Sequence, residues 1–308
     1  MLRIVPATLA LASTALAGTA SFDGRWDLDV HGGYQQAWWM EIHGAGTPKM
    51  TGRFTGFWGG GTNDIVNPRI DTGILRFNSD LGDIHAEYTA RLILTGQEPI
   101  LEGERKIGTD VVKFTGKRAP QIEEHDDGTW KAGTPVELLN GKDLTGWHAL
   151  PPGPDPGWSV VDGVLKGTGT ARNLVTDAKF WNFNLRVEYR IMPKSNSGIG
   201  LRGRYEVQII DDAGHDPNLT SNGSLYSRIA PRVNASKPAG QWQTFDIRLV
   251  GLDLSVSLNN QKLIDKGHVD GLTAMGFDAH ESRPGPIALQ GDHGPVEFRR
   301  ITITPLTR

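Results

Sequence analysis

Apolar residues recur at every second position in short runs along this chain, and no long stretch places them at helical spacing. Leu185, Val187, Tyr189 and Ile191 alternate with Arg186, Glu188 and Arg190, while Phe245, Ile247 and Leu249 repeat the pattern. Leu254, Val256 and Leu258 do so again and end at Asn259-Asn260, a pair suited to a tight primed hairpin turn. A period of two sends alternate side chains to opposite faces, so each run reads as a strand with one buried face. With 39 glycines and 18 prolines to punctuate the runs, the chain is expected to be all-β, a sandwich or jelly roll.

The length of 308 residues suggests two units rather than one large core. Residues 119–134 include Glu123-Glu124-His125-Asp126-Asp127-Gly128, where charge rises and apolar residues thin out, and read as a linker. Before it, residues 21–118 carry β signals at 24–30, 37–42, 52–58 and 100–105, which fit a smaller antiparallel β-barrel-like domain. Residues 135–308 form the second domain. Trp38, Trp39, Phe57 and Trp58 could stack on a sugar ring, although in a small barrel such aromatics are better read as core. Gly59-Gly60-Gly61 is a turn and not a phosphate loop, since no Lys-Ser/Thr or helical stretch follows.

Residues 1–20 read as a signal peptide: Met1-Leu2-Arg3, an apolar run to about Leu16, then small residues that place cleavage near Ala17 or Ala20. The run is too short to span a bilayer comfortably, so no membrane span is expected and the protein is expected in the periplasm or secreted. Zero cysteines exclude thiolate chemistry and an acylated lipoprotein anchor. A net charge of −3 with mixed signs argues against nucleic acid as a partner, and no dinucleotide fingerprint marks a nucleotide cofactor.

One stretch, residues 194–212, departs from plain sheet patterning. Tyr205, Val207 and Ile209 form one face of a strand; Glu206 and Gln208 form the other. Three glycines interleaved with Asn196, Arg202 and Arg204 precede it, so the backbone there can approach something bound. Glu206, Gln208 and Arg202 could converge on one polar face that holds a sugar; the same residues also fit a solvated face and a flexible turn. Glu206, Asp211 and His215 are candidate metal ligands, yet their spacing matches no defined metal loop and a solvated acidic turn fits better. His293, in Gln290-Gly291-Asp292-His293-Gly294, is by itself an ordinary turn histidine.

From about residue 135 to 306 the chain resembles the 3-keto-glycoside lyase and hydratase family, also called the 3-keto-disaccharide hydrolase domain. The matching pieces are Glu137-Leu138-Leu139-Asn140-Gly141-Lys142-Asp143-Leu144-Thr145-Gly146-Trp147, Asn196-Ser197-Gly198-Ile199, Tyr205-Glu206-Val207-Gln208-Ile209, Gly240-Gln241-Trp242-Gln243 and Leu289-Gln290-Gly291-Asp292-His293-Gly294. The resemblance implies a concanavalin-like jelly-roll sandwich acting on a glycoside already oxidised at carbon 3, with a sugar 3-dehydrogenase as functional partner. It implies His293 and Glu206 as the acid–base pair, with Arg202, Gln208, Asn196, Tyr226, Arg228 and Gln290 as substrate-binding residues. It also allows a divalent metal ion or Arg202 on the ketone oxygen. A carbohydrate-binding protein without turnover would share the same fold, so fold alone does not separate the two.

Overall fold

The computed structural model describes residues 21–31, 37–56, 61–94, 96 and 98–308. The signal-peptide segment, Phe57 and Trp58 lie outside them. All regular elements among the described residues are strands.

Nine strands build the first sheet: β1 (Gly24–His31), β2 (Ala37–His43), β3 (Thr51–Thr55), β4 (Thr62–Asp64), β5 (Val66–Asp71), β6 (Ile74–Leu81), β7 (Ile84–Leu94), β8 (Pro99–Ile107) and β9 (Asp110–Arg118). Their order is β4-β3-β2-β1-β9-β8-β7-β6-β5. The two edge strands, β4 and β5, are separated in sequence by Ile65 alone, so the sheet curls until its edges meet as a nearly closed barrel. Trp26, Leu28, Trp38, Met40, Phe54, Phe77, Tyr88 and Phe114 fill its interior. Trp38 is thus a core plug and not a sugar platform.

Residues 119–134 run along the second half of the molecule. Asp126 accepts from Arg248 Nε at 2.7 Å and Arg248 Nη2 at 2.9 Å, and Glu124 Oε2 accepts from Trp181 Nε1 at 2.8 Å. Two short strands follow, β10 (Lys131–Ala132) and β11 (Val136–Glu137).

The remaining strands form two facing sheets. They are β12 (Trp147–Leu150), β13 (Trp158–Val161), β14 (Val164–Gly169), β15 (Asn173–Thr176), β16 (Phe183–Ile191), β17 (Asn196–Leu201), β18 (Tyr205–Ile210), β19 (Gln243–Val250), β20 (Asp253–Leu258), β21 (Gln261–His268), β22 (Ala288–Leu289) and β23 (Gly294–Thr307). The larger sheet runs β13-β14-β23-β16-β19-β20-β21, with β10 and β11 also on β23; the smaller runs β12-β15-β22-β17-β18. The alternating runs of β16, β19 and β20 bury Leu185, Val187, Tyr189, Phe245, Ile247, Val256 and Leu258 against Leu174, Ile199, Tyr205, Val207, Ile209 and Leu289 of the smaller sheet. This is the expected jelly-roll sandwich. The hairpin between β20 and β21 turns at Asn259 and Asn260 with φ of 50° and 68°, as a primed turn requires.

Candidate active site

Pairing of β17 with β18 sets Gly200 opposite Glu206, Gly198 opposite Gln208 and Asn196 opposite Ile210. Ile199, Leu201, Tyr205, Val207 and Ile209 point into the sandwich. By the same alternation Asn196, Gly198, Glu206 and Gln208 share the outer face of the smaller sheet.

That face is not a solvated surface. Glu206 is 3% exposed and Gln208 1% exposed, although neither belongs to an apolar core. Two segments wall them in. Residues 221–229 run beside β18, where Gln208 N donates to Ser224 O and Tyr226 N donates to Glu206 O. Residues 272–277 continue the wall along the same edge of β18: Thr273 Oγ1 accepts from Glu206 N at 2.9 Å, and Met275 packs with Val175 and Ala288.

His293 closes the recess. Its carbonyl accepts from Asn196 N at 2.9 Å, which ties the turn before β23 to β17. Gly294, with φ of 128°, lies where a β-carbon would overlap Ser195, so the tight approach needs glycine. The ring Nδ1 meets Asp292 Oδ1 at 2.6 Å.

Electrostatics single out four groups. Burial pushes the Glu206 carboxyl up to about 8; nearby His293 draws it down and Asp292 pushes it up. The hydrogen bond to Asp292 raises His293 above its ordinary value and holds Asp292 below its own. Burial, then the Glu206 charge, raises the Tyr226 phenol.

Around these groups sit amide side chains with buried oxygens that find no hydrogen-bond partner: Asn196 Oδ1, Gln208 Oε1 and Gln290 Oε1. Gln290 is held by its N–H to Gly198 O and by Ser197 Oγ donating to Gln290 O at 2.8 Å. A buried amide without a partner carries a desolvation cost that a hydroxylated ligand would relieve.

Two expected residues are elsewhere. Arg202, with φ of 53°, is buried with its guanidinium 3.8 Å from the Trp181 ring centroid. Its Nε donates to Trp181 O at 2.7 Å and its Nη2 to Asn182 Oδ1 at 3.1 Å. It anchors the end of the sandwich and does not converge with Glu206, because the left-handed residue after β17 turns its side chain out of the strand alternation. Arg228 lies over Trp39 of β2, 4.3 Å from the ring centroid, and pairs with Asp270 at 2.7 Å. It links the two halves of the molecule and does not line the recess.

The metal candidates also disperse. Asp211 Oδ2 caps Lys194 N at 3.0 Å, and His215 N donates to Asp212 O in a turn. Among the described residues no group of three His, Asp or Glu side chains is placed to hold an ion. Among the described residues these candidates assemble no protein-held metal site.

Asp292, the partner that orients His293, was present in the sequence motif but carried no role there; its signal is the Asp-His adjacency itself. The wall built by Thr273 has no sequence signal, since its contact with Glu206 spans 67 residues. A second groove, of about 660 Å³, lies on the outer face of the larger sheet. It shares none of these residues and is lined by ion pairs such as Arg186–Asp246 and Arg300–Glu137.

Comparison with known proteins places these features among relatives. The chain is 24% identical over 227 residues to a 3-keto-disaccharide hydrolase from Bacteroides thetaiotaomicron, covering 56% of this chain and 78% of that protein. Two crystal structures of candidate glycosyl hydrolases from Parabacteroides distasonis are similar at 26% and 24% identity. They cover 59% and 56% of this chain and 93% and 94% of their own, with TM-scores of 0.49 and 0.47. Residues 134–304, more than half of the chain, match the 3-keto-alpha-glucoside-1,2-lyase-like domain, and the protein belongs to that family.

Proposed function

We propose that the protein is a carbohydrate-active enzyme that cleaves 3-keto-glycosides by elimination across carbons 1 and 2 and hydrates the resulting 3-keto-2-hydroxy-glucal. The observation that carries this reading is Glu206, kept protonated by burial beside an imidazole oriented by Asp292.

A ketone at carbon 3 acidifies the hydrogen at carbon 2. His293 Nε2, free to act because Nδ1 is engaged by Asp292, takes that proton. Amide N–H groups of Asn196, Gln208 and Gln290 hydrogen-bond the enolate oxygen, the role that Arg202 is not placed to fill. As the enolate collapses, the ketone re-forms, the C1=C2 double bond forms and the C1–O bond to the aglycone breaks. Glu206 gives its proton to the departing oxygen. The pair is now imidazolium and carboxylate, which suits the return reaction with water. Glu206 accepts a proton from water as the hydroxyl adds to carbon 1, and His293 returns a proton to carbon 2. Both groups end as they began, and net hydrolysis results.

The substrate must come from oxidation of a glycoside at carbon 3, the reaction class of a sugar 3-dehydrogenase. We place the mature protein outside the cytoplasm, on the leader-like first 20 residues.

The test is turnover of a 3-keto-glucoside, with and without a chelator, while the conjugated glucal is followed by absorbance. Release of aglycone through that intermediate supports the reading. Tight binding with no release would instead make the recess a carbohydrate-binding site.

A further inference from the structure

The barrel-like first sheet touches both walls of the recess. Alternation along β2 sends Trp38 and Met40 into the barrel and Trp39 outward, into the core of the sandwich. Trp39 is fully buried, and Gly271 lies so close to its indole that a β-carbon there would overlap the ring. The Arg228 guanidinium covers the ring at 4.3 Å, with Arg53 of β3 at 5.5 Å. Both arginines pair with Asp270, at 2.7 Å and 2.8 Å.

Hydrogen bonds fasten the same two segments. Ala37 N donates to Gly276 O at 2.8 Å, which secures the segment bearing Thr273 and Met275. Thr62 N donates to Ser227 Oγ at 2.8 Å, next to Tyr226. A third tie reaches β18 itself. Asp27 of β1 is buried, and burial and the neighbouring Glu281 push its carboxyl well above the usual range; Glu281 accepts from Tyr205 Oη at 2.7 Å.

We propose that the first sheet is a buttress of the active site, with Trp39 as the positioning residue that presses segments 226–228 and 270–276 against Glu206 and keeps its carboxyl out of water. This rests on the reading of Glu206 as an acid–base group, but the buttress itself is a property of the protein without substrate. The charged and titratable groups facing Glu206 are His293 and Asp292 from the turn before β23 and Tyr226 from the first wall. The second wall contributes Thr273 and Met275, which do not titrate. None of these is removed by changing Trp39, so the effect of such a change on Glu206 arises through hydration.

The experiment follows the Glu206 carboxyl by carbon-13 NMR in full-length protein labelled at glutamate, the signal being assigned by its loss in Glu206→Gln. In the parent protein the midpoint is expected near 8. Trp39→Ala should lower it by at least one pH unit, Trp39→Phe should restore most of the difference, and the alkaline limb of turnover should move down in parallel. Should Trp39→Ala not fold, Arg53→Met combined with Ser227→Ala loosens the same two walls from the surface and should lower the midpoint in the same direction. An unchanged Glu206 midpoint in the folded variants overturns the buttress. A shifted midpoint in a protein that never turns over a 3-keto-glucoside leaves the buttress standing and removes the proposed reaction.

Discussion

The Glu206 side chain lies across Gly198, in the space where a β-carbon on that glycine would overlap Oε1. Gly198 is opposite Gln208 in register, so the carboxyl leans from its own rung of the ladder to the next. The glycine is therefore a space-maker, with no role in the turn geometry usually assigned to glycine.

Gly198→Ala should displace the carboxyl while leaving the strand paired, since alanine is tolerated in β conformation. Turnover should fall by about ten- to a hundredfold, the scale set by misplacing an acid–base group. Steady-state rates beside circular dichroism check this; a folded variant with parent-like turnover would remove Glu206 from the chemistry or show that it moves freely.

Glu206→Gln should trade activity for stability. The folded protein holds the Glu206 proton up to about pH 8, whereas the unfolded chain releases it near 4.5. The stability linked to this group is fully present below pH 4.5 and drains away as pH rises toward 8. Glutamine removes that loss, so the variant should gain roughly 4 kcal/mol at pH 8 and little at pH 4. Turnover should fall by about a hundredfold or more. Urea unfolding at the two pH values, with rates at each, measures both halves.

Asp292→Asn tests the orienting bond. Without the carboxylate, His293 loses the interaction that raises it, and its acid form gives up its proton at lower pH. The low-pH limb of turnover should therefore move to lower pH while the plateau drops by about tenfold or more. His293→Ala should abolish the limb along with most of the rate. A pH–rate profile of the three proteins decides, and a limb that stays in place under Asp292→Asn would assign it to another group.

Arg202→Met should lower the melting temperature and leave the KM of the folded fraction unchanged. The guanidinium stacks on Trp181 and is bonded to Trp181 O and Asn182 Oδ1, and breaking a buried charged hydrogen-bond set typically costs a few kcal/mol. Thermal unfolding and substrate saturation curves separate the two effects. A rise in KM without loss of stability would return Arg202 to the recess.

The strands were legible because alternation is local: Leu185 to Ile191 and Leu254 to Leu258 need only their neighbours to declare a buried face. The turn at Asn259-Asn260 was legible for the same reason. Glu206, Gln208, Asn196 and Gln290 meet on one face because strand parity carries over once β17, β18 and β22 pair. Arg202 could not be placed, since its direction depends on a left-handed backbone and on a tryptophan 21 residues earlier in the chain. Arg228 was misplaced because its partner Trp39 belongs to the other half. The adjacent tryptophans Trp38 and Trp39 serve two different cores, which only the packing of one sheet on the other reveals.

Strand β23 is the last of the chain, yet it lies between β14 and β16 and also takes β10 and β11 along its length. Lys131 pairs with Thr307 and Val136 with Ile303. The larger sheet therefore cannot close until residues 294–307 take their place: its two parts wait, with open edges, for that strand. The barrel-like sheet has no such dependence, because β1 finds β9 within the first 118 residues. The first sheet can thus be complete while the second is not, and until β23 inserts, the exposed edges of β14 and β16 are most open to pairing with the wrong strand.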